Sequence, residues 1–78
     1  MYFDEVGPQL SLVRRARHLS QEAIAHRAGV SRAVLSNLEC GQGNPTLKTL
    51  TAIAAALNVH LEVNIIDGKV RPRRVIPV

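Results

Sequence analysis

Apolar residues recur at intervals of three and four along most of this chain, and this spacing predicts helices with one buried stripe each. The first stripe includes Leu10 and Val13, and the helix that carries it ends near His18. We place its start at Pro8, because the missing N–H of proline costs nothing in the first turn of a helix. Residues 1–6 then form a short acidic segment before the first helix.

Two shorter helices follow, and each has a serine at the position that caps a helix N-terminus. Ser20 precedes an apolar stripe in residues 21–28, and Ser31 precedes one in residues 32–39. A serine hydroxyl there accepts a hydrogen bond from a free backbone N–H. Gly29 lies between the two helices, where a left-handed residue ends the first of them at low cost. Two helices joined by such a short turn form a helix-turn-helix arrangement.

A fourth helix has the most regular apolar spacing in the chain. Thr46 caps its start, Asn58 suits its end, and a loop with two glycines separates it from the third helix. Its apolar stripe consists of Leu47, Leu50, Ile53, Ala54 and Leu57. The pattern therefore predicts a mainly α domain with four helices.

The period changes from helical to alternating after the fourth helix, which predicts a β-strand with one buried face. The apolar positions of this strand are Leu61, Val63 and Ile65. Asp67 and Gly68 form a strong turn signal, so the chain could fold back as a hairpin. Pro72 restricts a return strand to an edge position, and we expect the tail after it to be extended or disordered.

The predicted strand raises the question of what pairs with it. A single strand leaves its backbone N–H and C=O groups without partners. Pairing with a second copy across a two-fold axis would satisfy these groups and cover the apolar face. A hairpin within the chain is the alternative, although two strands alone are only marginally stable in water. The sequence leaves both arrangements open.

The charge of the chain adds a polyanion to the expected partners. The 78 residues carry a formal net charge of +4, and most basic residues fall between 14 and 32 or between 69 and 74. Such blocks favour nucleic acid, because neutralised phosphates release counterions, and a solvated basic surface is the alternative. The arginines of the tail are Arg71, Arg73 and Arg74. Their role is open between DNA affinity, a protein partner and solubility.

The composition gives no sign of a metal site, a cofactor or a membrane span. Cys40 is the only cysteine, and it forms no ligand spacing with His18, His26 or His60. No apolar run approaches the roughly 20 residues that cross a bilayer. No pairing of a nucleophile with a base points to an enzyme. A lone cysteine without an export signal indicates a reducing cytoplasm.

Four motifs occur in register along the chain. They are Leu-Ser-Gln-Glu-Ala-Ile-Ala at 19–25, Gly-Val-Ser at 29–31, Leu-Ser-Asn-Leu-Glu-Cys-Gly at 35–41 and Asn-Pro-Thr-Leu at 44–47. With these motifs, residues 6–59 resemble the lambda/434 repressor and Cro (XRE) helix-turn-helix family. The strand that ends at Asp67 resembles that of the HipB-type antitoxins, in which a strand after the fourth helix pairs with its copy in a dimer.

The resemblance implies a bacterial repressor that binds a palindromic operator as a homodimer. Residues 1–59 would form the DNA-binding domain, 60–71 a dimerisation strand or hairpin, and 72–78 a basic, flexible tail. The implied partners are double-stranded DNA, a second copy of the chain and, for an antitoxin, a toxin protein; no cofactor is implied. A stand-alone phage- or host-type regulator is the alternative to an antitoxin.

The third helix is predicted to read bases, since the start of the second helix of such a pair meets base edges. The base-reading residues would be Arg32, Ala33, Ser36 and Asn37. Arginine can form two hydrogen bonds with guanine, asparagine can form two with adenine, and alanine can pack on the methyl group of thymine. The resemblance implies phosphate contacts at Gln21, Ser31, Gln42 and Asn44, for which ordinary turn and first-turn roles are the alternatives. It also implies a bridge between Arg14 and Glu39.

Overall fold

The computed structural model describes residues 2–43 and 45–77, which form four helices followed by a two-stranded antiparallel sheet. The elements are α1 (Tyr2–Ala16), α2 (Gln21–Ala28), α3 (Arg32–Glu39), α4 (Leu47–Ala56), β1 (Val59–Ile66) and β2 (Lys69–Pro77). None of these helices combines the length and the apolar character needed to cross a membrane. The predicted fold class, a mainly helical domain with a C-terminal strand, is confirmed.

The three helices after α1 begin at the capping residues predicted from the sequence. The side chains of Ser20, Ser31 and Thr46 each accept a hydrogen bond from the backbone N–H three residues later, at 3.1 Å. Gly29 ends α2 with a φ of 72°, and its N–H points back to the last carbonyl groups of that helix. The short turn between α2 and α3 follows from these two signals.

The hydrophobic core lies where the four helices meet. Its largest fully buried side chains are Leu10, Ile24, Leu35, Leu50, Ile53 and Val6. Full burial of such a side chain stabilises the fold by about 1.5–3 kcal/mol. The predicted stripes of α2, α3 and α4 thus meet in the core, except at Leu47, which begins α4 and is 37% exposed. The packing of these stripes fixes the position of α3.

Helix α1 begins earlier than we predicted, because it starts at Tyr2 and contains Pro8 in its interior. A proline inside a helix loses one backbone hydrogen bond, which favours a helix start at that residue. However, Val6 is fully buried in the core. Gly7 lies so close to α3 that a side chain there would overlap the carbonyl oxygen of Leu38. Packing of the first turns therefore outweighs the local preference of Pro8.

The two strands form a hairpin within one chain, which is one of the two arrangements that the sequence left open. The turn consists of Asp67 and Gly68, as predicted, with φ angles of 52° and 75°. Positive φ at both turn residues matches the right-handed twist of the strands on either side. A glycine is favoured at the second position because it adopts this conformation without steric cost.

Strand β2 is longer than predicted, and it includes residues 72–77 of the tail that we expected to be flexible at 72–78; Val78 lies outside the described residues. The backbone N–H of Val75 donates a hydrogen bond to Oε1 of Gln9 in α1, at 2.8 Å. The side chain of Val75 also packs against the edge of the core. We predicted that the return strand would end at residue 71, and it extends to Pro77 because this contact joins residues that are far apart in the sequence.

A bulge accommodates Pro72 in β2. Glu62 lies opposite Arg74, whereas the next residue, Val63, lies opposite Pro72, so that Arg73 has no partner in the ladder. Proline cannot donate to a ladder and is found at bulges and on edge strands. The irregular register thus lets the strand continue past a residue that we expected to end it.

Candidate nucleic-acid interface

One face of α3 is free of packing and carries the residues predicted to read bases. Leu35 and Leu38 fill the core on the opposite face of the same helix. The exposed side chains are Arg32, Ala33 and Asn37, and Ser36 lies half-buried at the edge of the face. Hydrogen-bonding groups beside a small apolar side chain are the combination that base edges in the major groove require.

Ser31, which we predicted to contact a phosphate, uses its hydroxyl oxygen in the cap of α3. This oxygen accepts a hydrogen bond from the backbone N–H of Val34 at 3.1 Å. A serine hydroxyl that accepts one hydrogen bond still has its own proton to donate. The side chain can therefore cap the helix and bind a phosphate oxygen together.

Val34 is an apolar residue of this surface that the sequence prediction missed. Its side chain is 42% exposed, and it lines a groove of about 270 Å³ between α3 and the loop that follows. Pro45 and Thr49 line the same groove. The sequence contained one signal for this position: Val34 directly precedes the buried Leu35, which places it on the flank of the helix. An apolar side chain at this position suits the methyl group of thymine.

Gln21 begins α2 and lies between the two helices of the pair. Its Nε2 donates to Oε1 of Glu39 at 3.0 Å, while its own Oε1 lies 3.5 Å from Nε of Arg32. The hydrogen bond to the buried Glu39 thus orients the amide of Gln21, so that its oxygen faces Arg32 of α3. The second N–H of the amide remains a possible donor to phosphate.

The predicted bridge between the first and third helices is present as a bidentate ion pair. Nε of Arg14 lies 2.7 Å from Oε2 of Glu39, and Nη2 lies 2.9 Å from Oε1. The remaining nitrogen, Nη1, donates to the carbonyl oxygen of Leu19 at 2.7 Å. The fork of one arginine therefore ties α3 to α1 and to the segment before α2.

The surroundings of this pair shift the pKa of both partners. Burial by itself raises the pKa of Glu39, but hydrogen bonds from Arg14, Gln21 and Ser11 and the charge of Arg14 outweigh burial and hold it below its ordinary value. The hydrogen bond to Glu39 raises the pKa of Arg14, against a smaller opposing effect of burial. Both groups are therefore charged at neutral pH.

Comparisons with known proteins identify the family of this arrangement. Residues 10–64 match the family described as helix-turn-helix, HTH_3. The chain belongs to the HTH_3 helix-turn-helix family. It is 38% identical over 56 residues to the immunity repressor protein of Bacillus phage phi105, a match that covers 72% of this chain and 39% of the repressor.

Two further proteins that resemble this HTH_3 chain are matched over a larger share of their own length. The chain is 44% identical over 59 residues to the HTH-type transcriptional regulator y4dJ of Sinorhizobium fredii, covering 74% of this chain and 77% of that protein. The crystal structure of the restriction-modification controller protein C.AhdI from Aeromonas hydrophila superposes with a TM-score of 0.64 at 36% identity. This superposition covers 67% of this chain and 79% of the controller.

The loop after α3 of this HTH_3 chain contains the remaining predicted phosphate contacts. Gln42 is exposed, and its backbone N–H donates to the carbonyl oxygen of Asn37 at 2.8 Å. Asn44 lies outside the described residues. Cys40 is exposed at the end of α3. Within residues 2–43 and 45–77, no group of three or more His, Cys, Asp or Glu side chains could hold a metal ion.

Two arginines of the predicted tail lie on β2 and pair with one carboxylate of β1. Nη1 of Arg73 and Nε of Arg74 lie 3.2 Å and 3.1 Å from Oε1 of Glu62. The bulge brings both arginines to the same partner. One of their two charges remains unbalanced by Glu62, so this edge of the hairpin is still positive.

Proposed function

We propose that this chain is a sequence-specific transcriptional repressor that binds a palindromic operator as a homodimer. The observation that carries the proposal is the unpacked face of α3, held by a buried ion pair within a helix-turn-helix of the HTH_3 family. In this arrangement the second helix of the pair enters the major groove.

Each residue of the face has a role that follows from its chemistry. Arg32 would bind O6 and N7 of guanine as a fork, and Asn37 would bind N6 and N7 of adenine. Ala33 and Val34 would pack against thymine methyl groups, and Ser36 would donate to or accept from a base edge. The residues proposed to contact phosphate are Gln21, Ser31, Gln42 and Asn44. Phosphate contacts position the helix, and base contacts supply specificity.

The hairpin supports the proposed dimer because its apolar face extends beyond the helices. Val59 is 7% exposed, but Val63 and Ile65, two and three pairs of residues further along the strand, are 38% and 74% exposed. Alternate residues of a strand share one face, so a single apolar face runs from the core into solvent. A second copy would cover this face and pair with a free edge of the sheet.

A groove beside this face offers room for the partner. It lies between α4 and β1 and has a volume of about 350 Å³. Its lining includes Leu47, Thr51, Ala55, Leu61 and Val63. Two copies related by a two-fold axis would place their α3 helices on half-sites about 34–36 Å apart, the spacing of one turn of DNA.

Sequence-selective binding tests the main proposal. We expect wild-type protein to shift DNA from upstream of its own gene in preference to shuffled DNA of equal length. Arg32→Ala should lose about 1–3 kcal/mol of discrimination at one base pair. Arg27→Ala is the control, because it removes the same charge from the last turn of α2. This variant should retain the discrimination of the wild type. The absence of any selective band shift by the wild type contradicts the proposal.

Ultracentrifugation tests the dimer separately. Ile65→Asn should shift the wild-type dimer toward monomer, since it places an amide in the proposed interface. Leu12→Asn is the matched control, because Leu12 is similarly exposed at 66% but lies on α1. A wild-type monomer at concentrations that saturate DNA would exclude a dimeric repressor.

An antitoxin role is a second candidate, supported by the resemblance of the C-terminal strand to that of HipB-type antitoxins. The alternative is a stand-alone phage- or host-type regulator, supported by the similarity of the chain to a phage immunity repressor and to a restriction-modification controller protein. An antitoxin should form a complex with the product of a neighbouring gene and relieve its toxicity. Neither complex nor relief is expected of a stand-alone regulator.

A further inference from the structure

Arg32, the residue proposed to bind guanine, contacts two side chains at the start of α2. Its Nη1 lies 3.3 Å from Oε1 of Glu22, and its Nε lies 3.5 Å from Oε1 of Gln21. Arg32 and Glu22 are 64% and 76% exposed. The contact therefore lies on the surface that the proposed function turns toward DNA.

The contact continues a network that begins in the protein interior. Arg14 holds Glu39, and Glu39 accepts a hydrogen bond from Nε2 of Gln21 at 3.0 Å. This orientation leaves Oε1 of Gln21 facing Arg32. Nε of the Arg32 guanidinium thus faces a fixed oxygen of Gln21, and Nη1 faces the carboxylate of Glu22.

A guanidinium has five N–H donors, and these two contacts engage two of them. Three donors remain, which is enough for a fork on O6 and N7 of guanine while the contacts with α2 persist. An arginine held in this way loses less conformational freedom when it binds, and it has fewer alternative positions.

We propose that Glu22 is a positioning residue that raises the sequence discrimination of Arg32. The inference rests on the proposed DNA-binding function. Glu22 holds Nη1 of the guanidinium, and both N–H groups of Nη2 and the second N–H of Nη1 remain for a base. Its charge lies in the first turn of α2, where the helix N-terminus attracts anions, and there it repels a DNA phosphate. Arg32 therefore binds guanine and does not turn to a phosphate of the DNA backbone.

The repulsion of phosphate by Glu22 acts on both specific and non-specific complexes, whereas the positioning of Arg32 acts only on the specific complex. Non-specific binding depends on phosphate contacts, so loss of the Glu22 charge strengthens it. Specific binding gains from the same loss of repulsion, but it also loses the support of the Arg32 fork. The ratio of the two dissociation constants therefore reports the positioning role, whereas either constant alone does not.

The experiment compares Glu22→Gln with Asp67→Asn. Asp67 lies in the hairpin turn with a φ of 52°, a conformation that asparagine also tolerates, so both variants lose one negative charge. One probe is the duplex that wild-type protein enriches from a library randomised over about 24 base pairs, enough for two half-sites one turn apart. The other is a shuffled duplex of the same length and composition.

We expect Glu22→Gln to lower the ratio of non-specific to specific dissociation constants by about 1.4- to fivefold, the range of an exposed ion pair. Asp67→Asn should leave this ratio at the wild-type value. In an Arg32→Ala background, Glu22→Gln should no longer change the ratio, because Glu22 acts through Arg32. Circular dichroism should show that all variants are folded.

Each outcome decides one question. An equal ratio for Glu22→Gln and Asp67→Asn overturns the inference and leaves the repressor proposal intact. A drop in the ratio that persists in the Arg32→Ala background also overturns it, because Glu22 then acts without Arg32. Failure of the library selection to enrich any duplex counts instead against the proposed function.

Discussion

Two of the arginine–glutamate pairs in the described part of the chain have similar bidentate geometry and different surroundings. Arg14 and Glu39 join α1 to α3, and their side chains are 11% and 4% exposed. Arg74 and Glu62 join β2 to β1, and their side chains are 57% and 28% exposed. In each pair, two guanidinium nitrogens face the two carboxylate oxygens.

The difference in burial decides what each pair contributes. Removing one partner of a buried pair leaves the other charged and without water, which costs far more than the pair contributes when intact. The partners of an exposed pair are solvated in either case. The helix-turn-helix therefore depends on its ion pair, whereas the hairpin depends on the packing of residues such as Val59 and Val75.

The largest effect is expected from Glu39→Gln. The amide group would place N–H donors against the buried guanidinium of Arg14, which would keep its charge without a counter-ion. We expect a loss of about 3–5 kcal/mol in the free energy of unfolding, measured by urea denaturation. A loss as small as about 1 kcal/mol would mean that this pair behaves like a surface pair.

Gly7→Ala tests how closely α1 must approach α3. The added methyl group would overlap the carbonyl oxygen of Leu38, so the helices must separate. We expect a loss of about 1–3 kcal/mol in the free energy of unfolding, although alanine is the better helix former. The matched control is Pro8→Ala at the adjacent, exposed position, which should raise the free energy of unfolding because it restores a backbone donor. A stabilised Gly7→Ala variant would contradict the close contact.

The pKa of Glu39 predicts how acid acts on the buried pair. Since this pKa is lowered on folding, the charged carboxylate stabilises the folded state at pH values above the ordinary pKa of 4.5. That contribution is lost as the pH falls through the lower pKa of the folded protein. A carboxyl-carbon NMR titration should place the midpoint of Glu39 below the ordinary value of 4.5. A midpoint at or above the ordinary value would show that burial outweighs Arg14.

The smallest effect is expected from Glu62→Gln, which repeats the first substitution in the exposed pair. Arg73 and Arg74 would lose their carboxylate but keep their water, so we expect a change of about 0.2–1 kcal/mol in the free energy of unfolding. The same urea measurement as for Glu39→Gln gives a direct comparison. Equal losses in the two variants would refute the role that we assign to burial.

The parts predicted best from the sequence are those that depend on neighbouring residues. The starts of α2, α3 and α4 follow from Ser20, Ser31 and Thr46, because each cap needs only a hydroxyl and an N–H three residues later. The turn at Asp67 and Gly68 follows from their tolerance of positive φ. The exposed face of α3 follows from the helical period opposite Leu35 and Leu38.

The parts of the candidate site that the sequence did not predict are contacts between helices. Val34 was missed because a helical period does not show how much of a flanking side chain a following loop will cover. The approach of Glu22 to Arg32 was missed because it depends on the angle between α2 and α3. Packing of the core sets that angle, which no single motif encodes.

The sequence by itself determined the order and type of the elements from α1 to β1, the helix-turn-helix and the exposed face of α3, since caps, turns and periodicity act over a few residues. Only the tertiary structure decided where α1 starts and how far β2 extends. In both cases a local signal, Pro8 or Pro72, is outweighed by contacts with distant residues. Burial of Val6 and the hydrogen bond from Val75 to Gln9 provide those contacts. Such contacts exist only once the chain has folded.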